Sequence, residues 1–205
     1  GLEVVAQVDV DDSLETITES GADVVLDFTQ PAVALDHVRW CVDHGLHVVV
    51  GTSGFDDDKI DAVRALEPAT GVLVVPNFSV GAVLMMRFAA EAAPFFESVE
   101  VVEMHHPDKV DAPSGTAVRT AEMIAAARAD AGAAPLPDAT HTDPDGARGA
   151  AVAGIPVHAL RARGYVASQE VVLGGVGETF TIRHDSHDRE SFMPGVVAAV
   201  SAVAD

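Results

Sequence analysis

The sequence is poor in cysteine, in lysine and in long apolar runs. Its 205 residues include a single cysteine, Cys41, which cannot form an internal disulfide, as expected of a protein in the reducing cytoplasm. No apolar run approaches the roughly 20 residues that span a bilayer. The N-terminus also lacks the basic and then apolar segment of a secretory signal. These features predict a cytoplasmic protein with no membrane partner.

Basic residues are scarce. Twelve Lys and Arg stand against 32 Asp and Glu, a formal net charge of −20 at pH 7. Nucleic-acid phosphates need a basic surface, so this charge argues against a nucleic-acid partner. Two interpretations of the acidity remain open: a solvated surface that aids solubility, or adaptation to high salt, where screening weakens self-repulsion.

What the chain does have is apolar residues, 48% of the total, with only 5% aromatics. In the first 80 residues, short β-branched runs alternate with helix-length segments, as in a parallel sheet buried on both faces. The spacing predicts an α/β fold with right-handed crossovers. The predicted strands are Val4–Val8, Val24–Leu26, Val48–Val50 and Val72–Val75, and the predicted helices are Pro31–His44 and Asp56–Glu67.

The pattern changes after Gly81. Three strand-like runs follow one another without helices between them, so this half does not continue the first sheet. It predicts a second, α+β domain with a mixed sheet and a hairpin connection at Gly174–Gly177. Residues 130–150 are expected to form a loop. The predicted helices are Ala82–Phe96, Thr116–Ala129 and Arg189–Ala204, and the predicted strands are Val99–Met104, Ile155–Ala162, Ala167–Leu173 and Glu178–His184.

Small, acidic and hydroxyl residues follow the four strands of the first domain. Ligands of open α/β sheets bind at the carboxyl ends of the strands, so these residues favour a dinucleotide site over ordinary turns. An acid such as Asp9 can accept the ribose hydroxyls, and no arginine follows to bind a 2′-phosphate, which favours NADH over NADPH. The residues are Asp9, Asp27, Phe28, Thr29, Gly51, Thr52, Ser53, Gly54, Val75, Pro76, Asn77 and Phe78.

A Rossmann domain normally begins with a strand and a glycine-rich turn that holds the pyrophosphate. No such turn precedes the first predicted strand. Two explanations are open: the first βα unit is missing from this chain, or the protein does not bind a dinucleotide in the usual way.

The second candidate site lies in residues 103–117. His105 and His106 end a strand, Lys109 follows, and Ser114 is a natural N-cap for a helix that begins with Gly115 and Thr116. A helix N-terminus beside an ammonium group suits a carboxylate or a phosphate. Adjacent histidines on a strand point to opposite sides, which argues against a metal site. The cluster predicts a small anionic substrate beside a histidine that moves protons near neutral pH.

The same segment carries a resemblance. The pattern HH-x-x-K-x-D-A-P-S-G-T-A at 105–117 resembles the signature of the 4-hydroxy-tetrahydrodipicolinate reductase (dihydrodipicolinate reductase) family, in an actinobacterial-like form. Four further motifs extend the similarity over nearly the whole chain: DFT-x-P at Asp27–Pro31, GT-x-GF at Gly51–Phe55, PNFS-x-G at Pro76–Gly81, and GE-x-x-x-I-x-H-x-S-x-x-R at Gly177–Arg189.

The resemblance implies NADH- or NADPH-dependent reduction of 4-hydroxy-tetrahydrodipicolinate to tetrahydrodipicolinate, in the diaminopimelate route to lysine. It implies His105 as general acid/base, Lys109 as proton donor, and His106 with Ser114, Gly115 and Thr116 as the substrate's carboxylate site. It further implies a homotetramer, with residues 1–80 and 189–205 in the cofactor domain and residues 81–188 in the substrate and oligomerisation domain. The alternatives are another NAD(P)-dependent reductase of small dicarboxylates and a non-catalytic binding module.

Overall fold

A computed structural model describes residues 1–52 and 54–205, without the side chain of Asp57. The described chain forms two compact units. One comprises Gly1–Phe78 and Phe192–Asp205, and the other comprises Ser79–Ser191. In the described residues, no helix is both long and apolar enough to cross a bilayer.

The first unit is a three-stranded parallel sheet with helices. The strand order is β1-β2-β3, so each crossover connects neighbouring strands. Helices form where the sequence offers N-caps or apolar faces; the Asp56 side chain, for example, accepts a hydrogen bond from the backbone N–H of Lys59. The elements are α1 (Glu15–Glu19), β1 (Val24–Asp27), α2 (Ala34–Asp43), β2 (His47–Val50), α3 (Asp57–Arg64) and β3 (Val72–Val74).

The second unit is built on a five-stranded mixed sheet of order β5-β6-β4-β7-β8. Strands β4 and β6 are parallel, and the other neighbouring pairs are antiparallel. A 3₁₀ turn at Arg189–Phe192 then leads to α6 (Met193–Ala202), which belongs to the first unit. The unit's elements are α4 (Val80–Ala92), a 3₁₀ turn (Ala93–Phe95), β4 (Ser98–His105), α5 (Gly115–Asp130), β5 (Ala150–Val152), β6 (Ile155–Arg161), β7 (Ala167–Gly175) and β8 (Glu178–Ser186).

Each unit has its own apolar core. In the first unit, α2 and β2 bury the side chains of Val38, Cys41 and Val48. Val196 of α6 packs in a second cluster of the same unit with Val49 of β2. In the second unit, α5 packs on one face of the mixed sheet. The buried residues of this core include, from the sheet, Val99, Val101, Val171 and Leu173 and, from α5, Ala117, Ala121 and Ile124.

One predicted strand is wrong. Residues 1–9 have no regular structure, and Val4 and Val5 are 78% and 49% exposed. Val4–Val8 has the apolar character of a strand, but a strand needs a neighbouring strand to hydrogen-bond its backbone groups. In the described sheet β1 is the edge, and no strand pairs with its outer side. Asp9 therefore lies in an exposed turn, where its backbone carbonyl accepts from the N–H of Asp12, and does not end a strand.

Several boundaries also differ. The second predicted helix begins at Asp57 and ends at Arg64, because Glu67 has a φ of 44° that no α-helix allows. The loop predicted over 130–150 ends in β5, which pairs with β6 around Ala153 and Gly154, both at positive φ. The hairpin connection is confirmed: Val176 and Gly177 join β7 to β8.

Candidate active site

The second unit holds a buried carboxylate beside the histidine pair. Glu103 and His105 lie two residues apart on β4, so their side chains share one face of the sheet. Glu103 is fully buried, and its Oε2 lies 2.6 Å from Nδ1 of His105, whose side chain is 13% exposed. His106 follows the last residue of β4, and its side chain is 43% exposed.

Arg161 holds the same carboxylate from β6, the parallel neighbour of β4. Its two terminal nitrogens donate to the two oxygens of Glu103, each at 2.8 Å. The backbone N–H of Ser114 donates a further hydrogen bond of 3.1 Å to Oε1. One of the Arg161 nitrogens also donates to the backbone carbonyl of Asp111 at 2.7 Å. Glu103 therefore joins two strands to the start of α5.

These contacts set the charges of the pair. Burial raises the pKa of Glu103, but hydrogen bonds from Arg161, His105 and Ser114, with the charge of His105, lower it below its usual value. Glu103 is therefore ionised, and Nδ1 of His105 must donate to it. The pKa of His105 lies below its usual value, mainly because burial disfavours the charged imidazolium. The hydrogen bond and charge of Glu103 raise this pKa, whereas the positive charges of Lys109 and Arg161 lower it. The imidazole is thus neutral at neutral pH, with Nε2 available as an acceptor.

Lys109 lies on the loop between β4 and α5. Its Nζ lies 2.6 Å from Oδ1 of Asp111, and the side chain is 22% exposed. The hydrogen bond from Lys109 lowers the pKa of Asp111 below its usual value, so this carboxylate is ionised. The ammonium group has three donor protons, so the contact with Asp111 leaves donors for a ligand.

The start of α5 has the predicted cap. The Ser114 hydroxyl accepts from the N–H of Ala117 at 3.3 Å. Gly115 is the first helical residue, and a Cβ placed on it would meet no atom within 4 Å, so the backbone there faces open space. A helix N-terminus with open space in front of it can receive an anion.

The structure brings the predicted substrate-side residues together in one unit, around the end of β4 and the start of α5. Sequence reasoning missed Glu103 and Arg161. The signal for Glu103 was present: an acid two residues before His105 on a strand whose alternate residues are apolar. Arg161 is distant in sequence, and only the β4–β6 pairing brings it to the site.

A second cluster lies at the carboxyl ends of β1 and β2 in the first unit. The buried carboxylate of Asp27 accepts hydrogen bonds from the Thr52 hydroxyl at 2.6 Å, the Thr29 N–H at 3.0 Å and the Thr29 hydroxyl at 2.9 Å. Its other oxygen lies 2.8 Å from Nδ1 of His37. Burial raises the pKa of Asp27, but the Thr52, Thr29 and His37 bonds lower it overall.

Lys59 joins the two loops that follow these strands. Its Nζ donates to the carbonyl of Pro31 at 3.1 Å and to that of Gly54 at 2.8 Å. Gly51, directly after β2, lies against two phenyl rings in edge-to-face contact, those of Phe28 and Phe78, and a Cβ there would overlap both. Phe28 is 53% exposed, which leaves an aromatic surface beside a glycine backbone.

The remaining cofactor-side predictions have different outcomes. Val75 follows β3, and its N–H donates to the carbonyl of Val50. Pro76 and Asn77 continue from it to Phe78, which is buried. Ser53 lies outside the described residues. Asp9 is wrong as a strand end, and its carboxylate accepts from the N–H of Val10 in the turn.

Comparisons with known proteins agree over the whole chain. Residues 1–78 match the family described as "Dihydrodipicolinate reductase, N-terminus", and residues 81–205 match "Dihydrodipicolinate reductase, C-terminus". A protein of Nocardia farcinica named 4-hydroxy-tetrahydrodipicolinate reductase is 60% identical over 98% of this chain and 83% of its own length. A protein of that name from Thermobifida fusca is 57% identical over 100% of this chain and 88% of its own length.

A solved structure agrees as well. Dipicolinate-bound dihydrodipicolinate reductase from Paenisporosarcina sp. TG-14 has a TM-score of 0.81 and 42% identity, over 94% of this chain and 73% of that one. An amine dehydrogenase from Mycobacterium smegmatis, at 13% identity and a TM-score of 0.54, shares the fold alone. By its sequence and its fold, this chain belongs to the dihydrodipicolinate reductase family.

Proposed function

We propose that the protein reduces 4-hydroxy-tetrahydrodipicolinate to tetrahydrodipicolinate with a nicotinamide dinucleotide as reductant, in the diaminopimelate route to lysine. The observation that carries the proposal is the grouping of a Glu103-bonded histidine, a partly exposed lysine and a capped helix N-terminus in one unit. Relatives also support it: proteins named 4-hydroxy-tetrahydrodipicolinate reductase are 55–60% identical to this chain over nearly its whole length.

The substrate is a dicarboxylate, and this site offers two kinds of anion binder. The backbone N–H groups of Gly115 and Thr116 at the start of α5, with the Ser114 hydroxyl, receive one carboxylate through hydrogen bonds and the helix dipole. Lys109 and His106 supply the donors for the other charge. The chain's net charge of −20 repels a dianion, so these local donors must outweigh it at short range.

Two groups supply or hold the proton that the reduction requires. Lys109 is the donor, because its side-chain nitrogen carries N–H protons and the side chain is partly exposed. His105 is the acid/base partner, with Nε2 accepting while Nδ1 donates to Glu103. Positioned proton transfer of this kind is worth about 10²–10⁴ in rate.

The first unit fits a dinucleotide at the carboxyl ends of its strands. When bound, the nicotinamide supplies the hydride. Gly51 lets the rings of Phe28 and Phe78 pack against the backbone after β2, and the exposed part of the Phe28 ring offers an apolar surface. Asp27 holds the Thr29 and Thr52 hydroxyls in place. The other residues proposed to line this site are Asp9, Ser53, Val75, Pro76, Asn77 and Phe78.

NADH is the proposed reductant over NADPH. The turn after residue 8 reads Asp9, Val10, Asp11, Asp12, and it contains no basic residue. Its acidic side chains would repel a 2′-phosphate and can accept hydrogen bonds from ribose hydroxyls. A kcat/KM at least tenfold higher with NADH than with NADPH is expected; equal values, or a preference for NADPH, would contradict this assignment.

We further propose a homotetramer in the cytoplasm. An apolar groove beside the edge strand β8 is lined by phenylalanines that a monomer leaves exposed: Phe88 at 51%, Phe95 at 86% and Phe180 at 44%. Such a patch is typical of a protein interface. Light scattering on the purified protein is expected to give four times the chain mass of 21.2 kDa, and a monomer would contradict it.

The activity test follows NADH oxidation with substrate freshly formed from aspartate semialdehyde and pyruvate. Turnover that depends on both precursors is expected. A panel of other small unsaturated dicarboxylates separates this reaction from that of a related reductase, which would prefer another member. Binding of dipicolinate without turnover of any of these compounds would instead support a binding module.

A further inference from the structure

We propose that Glu103 is a positioning residue for the reaction: clamped by Arg161 and by the Ser114 backbone, it fixes His105 in the Nδ1–H tautomer and leaves Nε2 for the substrate side. The inference rests on the proposed function and deepens it. Neither Glu103 nor Arg161 is assigned a role by the sequence motifs. The arrangement is that of an oriented acid/base histidine.

The carboxylate of Glu103 is held in a fixed position. Glu103 is fully buried and ionised, and three donors besides His105 point at it, two from Arg161 and one from Ser114. A guanidinium fork and a backbone N–H are donors only, so the carboxylate is held against rotation. The 2.6 Å contact with Nδ1 can then form only when Nδ1 carries its proton.

Glu103 also links the Nδ1 proton of His105 to the anion site at the start of α5. The same carboxylate accepts the N–H of Ser114, whose side chain caps α5. Arg161 donates both to Glu103 and to the carbonyl of Asp111, which lies on the same loop as Lys109. The imidazole, the lysine loop and the helix N-terminus are therefore oriented by one buried ion pair.

The variant Glu103→Gln separates orientation from packing. The amide oxygen of the variant stays opposite the Ser114 N–H, because a backbone N–H can only donate. The NH₂ group takes the other side, because Nδ1 of His105 can become an acceptor when its proton moves. The amide NH₂ then faces Nδ1 of His105, which must accept, so the proton moves to Nε2. In ¹⁵N-histidine spectra above the pKa of His105, we expect the Nδ1–H form in the original protein and the Nε2–H form in Glu103→Gln. This readout does not depend on turnover.

The pH dependence follows from the same groups. The charged groups that face His105 are Glu103 on its own strand, Arg161 on β6, and Lys109 and Asp111 on the connecting loop. Removing the anion of Glu103 leaves the two cations, which disfavour imidazolium. The titration of His105, and the acidic limb of kcat/KM that it sets, should therefore move to lower pH in Glu103→Gln.

Kinetics supply the decisive comparison. We expect Glu103→Gln to lower kcat about 100-fold, within the range of general acid–base catalysis, with the KM for NADH unchanged. In a double-mutant cycle of Glu103→Gln with His105→Gln, the kcat of the double variant should be no lower than that of His105→Gln alone, because Glu103 acts through His105. Additive losses would overturn the proposal, as would an unchanged tautomer.

A control and a second variant complete the test. Glu100, on the opposite face of β4, contacts His158 and Arg148 in a similar Glu–His–Arg set, so Glu100→Gln should leave kcat and the His105 spectrum unchanged. If unpaired Arg161 prevents Glu103→Gln from folding, Glu103→Gln/Arg161→Met removes both charges and takes its place in the cycle. Wild-type kcat in either folded variant would overturn the inference, whereas an original protein with the expected tautomer and no turnover would count against the proposed function alone.

Discussion

At the scale of single residues, Lys109 combines two tasks that a substitution can separate. Its ammonium binds an anion through charge, and it donates a proton through its titratable N–H. Lys109→Arg keeps the charge but holds its proton, because guanidinium does not deprotonate in proteins. We expect this variant to keep the KM for the dicarboxylate within about threefold and to lose about 10²-fold in kcat.

Lys109→Met removes both tasks and is the matched comparison. It should raise the KM and lower kcat, with a thermal midpoint close to that of the original protein, because Lys109 lies on a loop and, among the described residues, forms an ion pair with Asp111 alone. Near-normal turnover in both variants, measured by NADH oxidation, would exclude Lys109 as the donor.

Asp27 makes stability depend on pH. Its folded pKa lies below that of the unfolded chain, so its contribution is fully present above the unfolded value of about 3.9 and is lost as pH falls through the folded pKa. Urea unfolding from pH 6 to pH 2.5 should show a decline in the free energy of unfolding that starts near pH 5. In Asp27→Asn we expect a lower plateau, by about 1–3 kcal/mol, and a shallower decline.

The control for that measurement is Asp36→Asn. Asp36 is exposed and pairs with Arg39 at the surface of α2, where an ion pair is worth about 0–1 kcal/mol. It should leave the curve nearly unchanged. A decline in Asp27→Asn as steep as in the original protein would show that other carboxylates, such as Glu103, carry the dependence.

At the scale of elements, Lys59 of α3 holds the loops after β1 and β2 together. Its ammonium donates to the carbonyls of Pro31 and Gly54, which no neutral side chain of that length can do. Lys59→Met should raise the KM for NADH about 3- to 10-fold, equivalent to about 0.7–1.4 kcal/mol, and leave the KM for the dicarboxylate unchanged. Lys59→Arg keeps N–H donors at this position, so its KM for NADH should lie between those of the original protein and Lys59→Met.

Steady-state kinetics with each substrate varied in turn checks this. A parallel rise in both KM values would mean that Lys59→Met disturbs the whole fold, and an unchanged KM for NADH would mean that the two carbonyl contacts do not support the cofactor loops.

Elements with strong local signals could be predicted from the sequence. The strands β1–β3, the Ser114 cap and the Val176–Gly177 turn depend on residues close together in the chain. Burial on both faces was expected for all three strands and holds for β2 alone, because Leu26 of β1 and Leu73 of β3 are 37% and 36% exposed. The failures depend on partners that are distant: Val4–Val8 lacks a neighbouring strand in the described chain. The contact of Arg161 with Glu103 likewise spans 58 positions. Likewise, His37 could be placed on a helix, but only the fold reveals its contact with Asp27.

At the scale of the whole molecule, the net charge of −20 acts on stability. Exposed acids repel one another over a Debye length of about 30 Å at 0.01 M salt but only about 10 Å at 0.1 M. Many of these acids have no basic neighbour, because the chain holds only 12 Lys and Arg. Salt should therefore stabilise the folded state by weakening this repulsion.

We expect the thermal midpoint to rise by several degrees between 0.02 M and 0.5 M KCl, and the chain to remain folded at the lower concentration. Circular dichroism melts at both concentrations measure this, and 0.5 M sucrose at low salt separates screening from general solute effects, because it adds no ions. A chain that unfolds in low salt at 25 °C would show that its acidity is an adaptation to high salt. A midpoint that is independent of salt would mean that the carboxylates lie too far apart to repel, so the surface charge serves solubility alone.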